Sequence, residues 1–440
     1  LPIYHRYIRH QHVIFARLIR RSSLIFSATW LFTWLPGAGA QEPMVSLPQV
    51  LEAVSATYPV LVAARTEARA AAQDVQATER LRWPSVSATV ESDTGNLRSY
   101  PNRALQVDQT VWDAGRNSSR IDEAKTLAQI SLLKVHAQQQ DVFLQVASAW
   151  QNMVSAKARL AVADLTLQRL QTYRAQMMRR VQAEVSPMID LELVDSRLLQ
   201  TEVERNAAFT SLQMALTRLT QLSGLESLAR TAYDGSPARP RKEASQRFAK
   251  TLELTDFEGL AAEQPQVSRA RLEVQQSKQR LSGKQAEAYP QVFLRVYKPL
   301  NALPNNSDTS TTAFLGLRYT PGAGWANWVE AKAIQTRVVS AEQSVEAVFR
   351  DTLQTLQNDR DDFVNAQTRV MALEKSIQGA EKVLDSYQRQ FQAGRKSWLD
   401  LLNAVRELAQ NQYALADAHA AMDAAMHRLQ IRRGQDVQNP

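Results

Sequence analysis

Two stretches of this chain contain almost nothing that can stop a helix. Between Gly115 and Pro187 there are 71 residues with neither glycine nor proline, and between Gly324 and Gly394 there are 69, interrupted only by Gly379. Gly379 alone costs a helix about 1 kcal/mol, too little to break one of that length. A continuous helix rises 1.5 Å per residue, so each stretch reaches roughly 100 Å. Globular helices average about 11–12 residues, and a compact domain therefore cannot accommodate these two.

The first stretch also dictates how it packs. Val142, Val146, Ala149, Met153, Ala156, Leu160, Ala163, Leu167 and Leu170 recur with alternating spacings of four and three. Sustained 3.5-residue spacing keeps one seam facing a partner helix and predicts a left-handed supercoil. A flanking stripe of Phe143, Ala147, Trp150, Val154, Ala158, Ala161 and Leu165 widens the apolar face. Two adjoining seams let one helix pack between two neighbours, as in a bundle or a closed helical wall.

Each long helix leads into a tight turn and a shorter return helix, giving two helical hairpins. The turns are centred on Ala183–Leu191 and Gln392–Leu401. Gly394 suits the left-handed residue that ends a helix. Ser186, ahead of Pro187, and Ser397 are the expected N-caps of the return helices. Capping does not account for the acids at matching distances beyond the turns, Asp190 and Asp400.

The hairpins belong to a twofold repeat. Pro59 and Pro84 are 25 residues apart, as are Pro265 and Pro290. After the second proline of each pair come two alternating apolar segments and a Gly-containing break. A Glu-Ala-Lys triplet then opens the long helix, at Glu123–Lys125 and again at Glu330–Lys332. Five features in one order at one spacing mark a duplicated unit. The expected organisation is a first repeat over 41–223 (strands 84–92 and 103–113, long helix 116–182, tip 183–190, return helix to 222). A connector follows over 224–254. The second repeat covers 255–433 (strands 290–299 and 313–320, long helix 325–392, tip 393–400, return helix to 433), with a tail over 434–440.

The strand pairs carry period-2 apolar sets: Val86, Ala88, Val90; Leu105, Val107; Val292, Leu294, Val296; Leu315, Leu317, Tyr319. Strands of about 9–11 residues between polar loops have outer-membrane dimensions, though soluble hairpins look alike. The smallest spanning barrels have eight strands, so four could serve in a membrane only by being shared among subunits.

Composition narrows the choices. The net charge of +8 suggests nucleic acid, but five arginines (Arg6, Arg9, Arg17, Arg20, Arg21) fall in the acid-free first 40 residues, leaving +3 for residues 41–440. No basic binding face survives that subtraction. The same arginines precede a 12-residue apolar core, Leu24–Leu35, and Ala38-Gly39-Ala40. That is an export signal over 1–40, with cleavage between Ala40 and Gln41; a membrane-spanning helix would need about 20 apolar residues. There are no cysteines, and only His136, His419 and His427 lie beyond the signal, each isolated on a helix. No nucleophile elbow, phosphate loop or dinucleotide fingerprint occurs, so neither an enzyme, a cofactor nor a metal site is expected. Asp359-Arg-Asp361-Asp362 is expected to be a solvated helix face. Beside a shared channel, an exported coiled-coil scaffold and a fibrous surface protein remain possible. The two strand pairs argue against the fibrous form.

The chain resembles the TolC-like outer-membrane factor (outer membrane efflux protein) family across residues 46–433. The most specific matches are Val107-Asp-Gln109-Thr-Val-Trp-Asp113-Ala-Gly115-Arg116 and the tip Ala393-Gly394 with Leu399-Asp400-Leu401-Leu402-Asn403. The resemblance implies a mainly α chain with a small β part, built as long antiparallel helical hairpins. These form a homotrimeric α-barrel, and four strands per subunit contribute to a shared 12-stranded barrel in the outer-membrane lipid. It implies export from an inner-membrane pump (of RND or ABC type) and a periplasmic adaptor, for drugs, metal ions or secreted protein. The periplasmic mouth would be closed by Asp400, Asn403, Asp190 and Lys396, with Lys396 reaching Asp190 of a neighbouring subunit. Ser186, Pro187, Ala393, Gly394, Arg395 and Ser397 would form the adaptor-docking tips. Asn403 stands where the family often has a second acid, and Glu184 where it prefers glycine.

Overall fold

The computed structural model describes residues 46–91, 102–226, 228, 242–300, 309–320 and 322–434. The expected signal with its Ala40–Gln41 junction lies outside the described residues. So do the loop segments 92–101 and 301–308, part of the connector and residues 435–440.

Helix α1 (Leu47–Thr57) starts where the Ser46 amide donates to Gln49 Oε1 at 2.9 Å. Helix α2 (Pro59–Glu79) begins on a proline, whose missing N–H is no loss in a first turn. Strands β1 (Ser85–Glu91) and β2 (Asn102–Trp112) follow, then α3 (Arg116–Gln182) and α4 (Met188–Ser223). After α5 (Lys242–Glu253) the same order recurs. It runs α6 (Phe257–Glu263), proline-led α7 (Pro265–Ala286), β3 (Gln291–Pro299), β4 (Thr312–Arg318), α8 (Ala326–Gln392) and α9 (Trp398–Arg432).

The two long helices, α3 and α8, are 67 residues each. Neither shorter helix beside α3 matches its length. Instead α2 and α7 pack on its sheet-side part, while α4 and α9 pack on the part nearer the turns. Helix α8 is flanked in the same way by α7 and α9. Of the first stripe, Val142, Val146, Ala149, Ala156, Ala163, Leu167 and Leu170 are buried within the subunit. The flanking stripe diverges from it: Ala147 is buried, Trp150 and Val154 are half-buried, and Leu165 is 46% exposed. One seam is consumed inside the chain, and much of the other remains open.

The acidic run in α8 corrects its expected role. Asp359 is buried, accepting from Arg428 Nε at 2.6 Å and Arg432 Nε at 2.8 Å, while Asp362 accepts from Arg428 at 2.8 Å. Helix α9 crosses at that point and brings two arginines, which a local reading of α8 could not foresee. Asp361, paired with adjacent Arg360, stays on the surface.

The strands form one antiparallel sheet in the order β1-β2-β3-β4, joined across the repeats by β2 and β3. Val86 faces Val107, Val107 faces Val296 and Leu294 faces Leu315. The register therefore gathers every period-2 apolar set onto one face.

Candidate functional site

Two regions carry the candidate functional residues: the turns at the far ends of the helical hairpins, and the sheet.

Both turns have the same backbone form. In the first, the Glu184 amide donates to Val181 O at 3.0 Å and the Val185 amide to Arg180 O at 2.9 Å. In the second, Gly394 donates to Phe391 O at 3.0 Å and Arg395 to Gln390 O at 2.9 Å. These paired bonds define a Schellman ending, which needs a left-handed residue at its centre. Gly394 supplies it at φ 70°, and Glu184 is forced into the same region at φ 59°. Glutamate there carries about 1–2 kcal/mol of strain that glycine does not.

Ser397 caps α9: its hydroxyl accepts from the Asp400 amide at 3.1 Å and donates to Asp400 Oδ2 at 2.7 Å. Ser186, also expected to cap, does not. Pro187 occupies the N-cap position of α4, and the Ser186 hydroxyl instead accepts from Arg180 Nε at 3.1 Å. Pro187 fixes extended backbone at φ −74°, so the helix starts one residue later than a serine cap requires.

Asp400 lies 3.5 Å from Lys396 Nζ in the same subunit, and that ammonium also sits 4.5 Å from the Tyr387 ring centre. The Ser397 hydrogen bond, followed by the Lys396 charge, holds the Asp400 carboxyl below the usual carboxylate range. The acid is therefore ionised at neutral pH while remaining half-exposed. Asn403 and Asp190 are likewise half-exposed, and Pro187, Ala393, Gly394, Arg395 and Ser397 are exposed at the tips.

Two further tip features were not legible in the sequence. Val185, Met188 and Ile189 stand exposed on the first turn, and Leu399 on the second, as apolar groups at this end. Trp398 is 4% exposed and joins the hairpins. Its indole N–H donates to Asp190 O at 2.9 Å, and its ring meets Tyr173 edge-on at 5.9 Å and Phe391 at 5.1 Å.

On the sheet, the apolar face is open: Val86, Val90, Leu315 and Leu317 are each about two-thirds exposed. At its helix-side end stand exposed Trp83, Trp112, Tyr289, Tyr319, Trp325 and Trp328. The irregularity between Thr110 and Trp112 brings Trp112 opposite Val292, onto the apolar face. Trp83-Pro84 and Tyr289-Pro290 are equivalent in the two repeats, a signal of this belt that was legible in the sequence. Among the described residues no helix is long and apolar enough to cross a membrane alone, and no three His, Asp or Glu side chains converge to hold a metal ion.

The outer membrane efflux protein family model matches residues 50–225. The first repeat is therefore similar to that family. The chain is 23% identical over 353 residues to the proteases secretion protein PrtF of Dickeya chrysanthemi, covering 75% of this chain and 72% of PrtF. Its fold matches the outer-membrane channel OprN with a TM-score of 0.74 at 16% identity, over 88% of this chain and 89% of OprN. It also matches the outer membrane protein VceC of Vibrio cholerae, with a TM-score of 0.72 at 18% identity over 88% and 96% of the two chains. The family match and the secretion relative together support an outer-membrane channel for efflux or type I secretion.

Proposed function

We propose that three copies of this chain close their sheets into one 12-stranded barrel in the outer membrane, continued across the periplasm by a tunnel of helical hairpins. The observation that carries this reading is the sheet. Its edge strands β1 and β4 are unpaired on their outer sides among the described residues, and its apolar face is exposed. An isolated sheet with both properties is prone to aggregate; pairing β4 of one subunit with β1 of the next satisfies both edges, and lipid covers the face. The aromatic residues at the helix-side end then lie at the periplasmic interface, as aromatic girdles do.

The long helices supply a second support. Leu165, Leu199, Val203 and Met214 remain exposed on α3 and α4, and Val339, Val364 and Met371 on α8. Neighbouring subunits would bury them through the second seam. In that assembly residues 41–223 and 255–433 are the two repeats and 224–254 is the connector. Asp400, Asn403 and Asp190 surround the periplasmic mouth, and Lys396 is shared between its own Asp400 and a neighbour's Asp190.

The exposed tips, with Ser186, Pro187, Ala393, Gly394, Arg395 and Ser397, dock a periplasmic adaptor, and an inner-membrane pump of RND or ABC type delivers cargo. The name of PrtF, a proteases secretion protein, brings protein secretion into consideration beside efflux of small compounds. Extraction from outer membranes tests the assembly. A detergent-dependent, heat-labile trimer is expected, and a monodisperse monomer in detergent-free buffer would refute it.

A further inference from the structure

The face of the sheet opposite the apolar one carries an ordered band of charge and aromatic rings. Register puts Asp108 opposite Arg295 and Arg295 opposite Phe314; the next inward-facing row pairs Thr110 with Phe293 and Phe293 with Gly316. Arg295 grips Asp108 through two bonds of 2.6 and 2.8 Å. Its guanidinium carbon also lies 5.1 Å from the Phe293 ring centre and 5.9 Å from that of Phe314. The Arg318 guanidinium carbon also lies over Phe293, 4.9 Å from its ring centre. A Cβ at Gly316 would collide with Cζ of Phe293, so the ring lies across β4 only because residue 316 is glycine.

This packing lays large side chains along the wall and leaves its charges unequal. Asp108 neutralises Arg295, whereas Arg318 is exposed and has no carboxylate within ion-pair distance among the described residues. Asp108 is the one acid on this face among the side chains described. The backbone of Glu91 is at the other end of β1, six residues from the Ser85–Asp108 row, or about 20 Å away along the strand.

We propose that Arg318 forms, in the assembled trimer, a ring of three guanidinium groups inside the barrel that binds carboxylate-bearing anions in transit. The proposal rests on the trimeric-barrel reading, which turns this face toward the lumen. Stacking on Phe293 fixes the plane of each guanidinium while its N–H edges remain free, the arrangement in which arginine grips a carboxylate bidentately. The barrel thus prefers anions, opposite in sign to the acidic tip 400, and the two ends of one conduit differ in selectivity.

Block by citrate in single-trimer planar bilayers tests this. Citrate added on the barrel side should reduce the wild-type current, and citrate on the tip side should do so less. Arg318→Gln should weaken the barrel-side block about fivefold, the weight of one close charge pair in water, and Arg318→Lys should retain most of it. Raising salt from about 0.1 M to about 1 M shortens the Debye length from about 10 Å to about 3 Å and should relieve the wild-type block. Equal block in wild type and Arg318→Gln, or a block indifferent to salt, would overturn the proposal while leaving the channel intact. A wild-type protein that opens no channels would overturn the assembly reading and this proposal with it.

Discussion

Trp398 offers the sharpest test of how the tip is held. It is the first residue of α9, yet it touches α3 through Tyr173, α8 through Phe391 and α4 through the Asp190 carbonyl. Trp398→Phe retains a ring in the aromatic cluster and removes the 2.9 Å indole hydrogen bond from α9 to the start of α4. A neutral hydrogen bond contributes about 0.5–1.5 kcal/mol net, and the half-exposed Asp190 can recover some of that from water. The expected loss is therefore about 0.5–1 kcal/mol, enough to speed local opening about two- to fivefold. Trp398→Ala removes the packing as well, for about 3–5 kcal/mol. Amide hydrogen exchange followed by mass spectrometry reads the difference directly. Peptides covering 183–191 and 393–402 should exchange faster in both variants, and those around Val142 and Val146 should not change. Unchanged exchange at the tips in Trp398→Ala, or uniform acceleration along α3 and α9, would show that the indole does not hold the hairpins together.

Three further outcomes are expected. Asp400→Ala should lower cation selectivity and block by multivalent cations in bilayers without changing trimer yield; because the acid is ionised well into the acidic range, wild-type selectivity should persist as pH falls below neutral. Currents identical to wild type would reduce Asp400 to a partner of Ser397. Glu184→Gly should stabilise the first turn by about 0.5–1 kcal/mol, since relief of left-handed strain exceeds the entropy glycine adds to the unfolded chain; slower exchange of 180–186 would show it, and faster exchange would contradict it. Burial pushes the Asp423 carboxyl up from 3.8 to about 7. The folded form then holds a proton that the unfolded form has lost, so stability falls as pH rises through that window and levels off above it. Asp423→Asn should therefore raise the unfolding midpoint at pH 8 more than near pH 4, and an equal shift at both would remove the assignment.

The element plan of this protein is local and was legible in its residues. About 70 consecutive positions with no proline and at most one glycine let a single helix satisfy its own backbone groups along its length. Hence α3 and α8 could be read from sequence, as could the alternation that sends Val86, Val107, Leu294 and Leu315 to one face of the sheet. The αL ending at Gly394 was equally local, and so was the Ser397 cap. What depended on a distant partner was not legible. Asp359 is buried because α9 brings Arg428 and Arg432 against it from 69 and 73 residues away. Trp398 finds the Asp190 carbonyl across 208 residues, and Phe293 lies flat because Gly316 happens to face it on the next strand. Periodicity reports which face of an element is buried, since that depends only on spacing. It cannot say which element arrives to cover that face, because the choice is made by the packing energy of the whole chain.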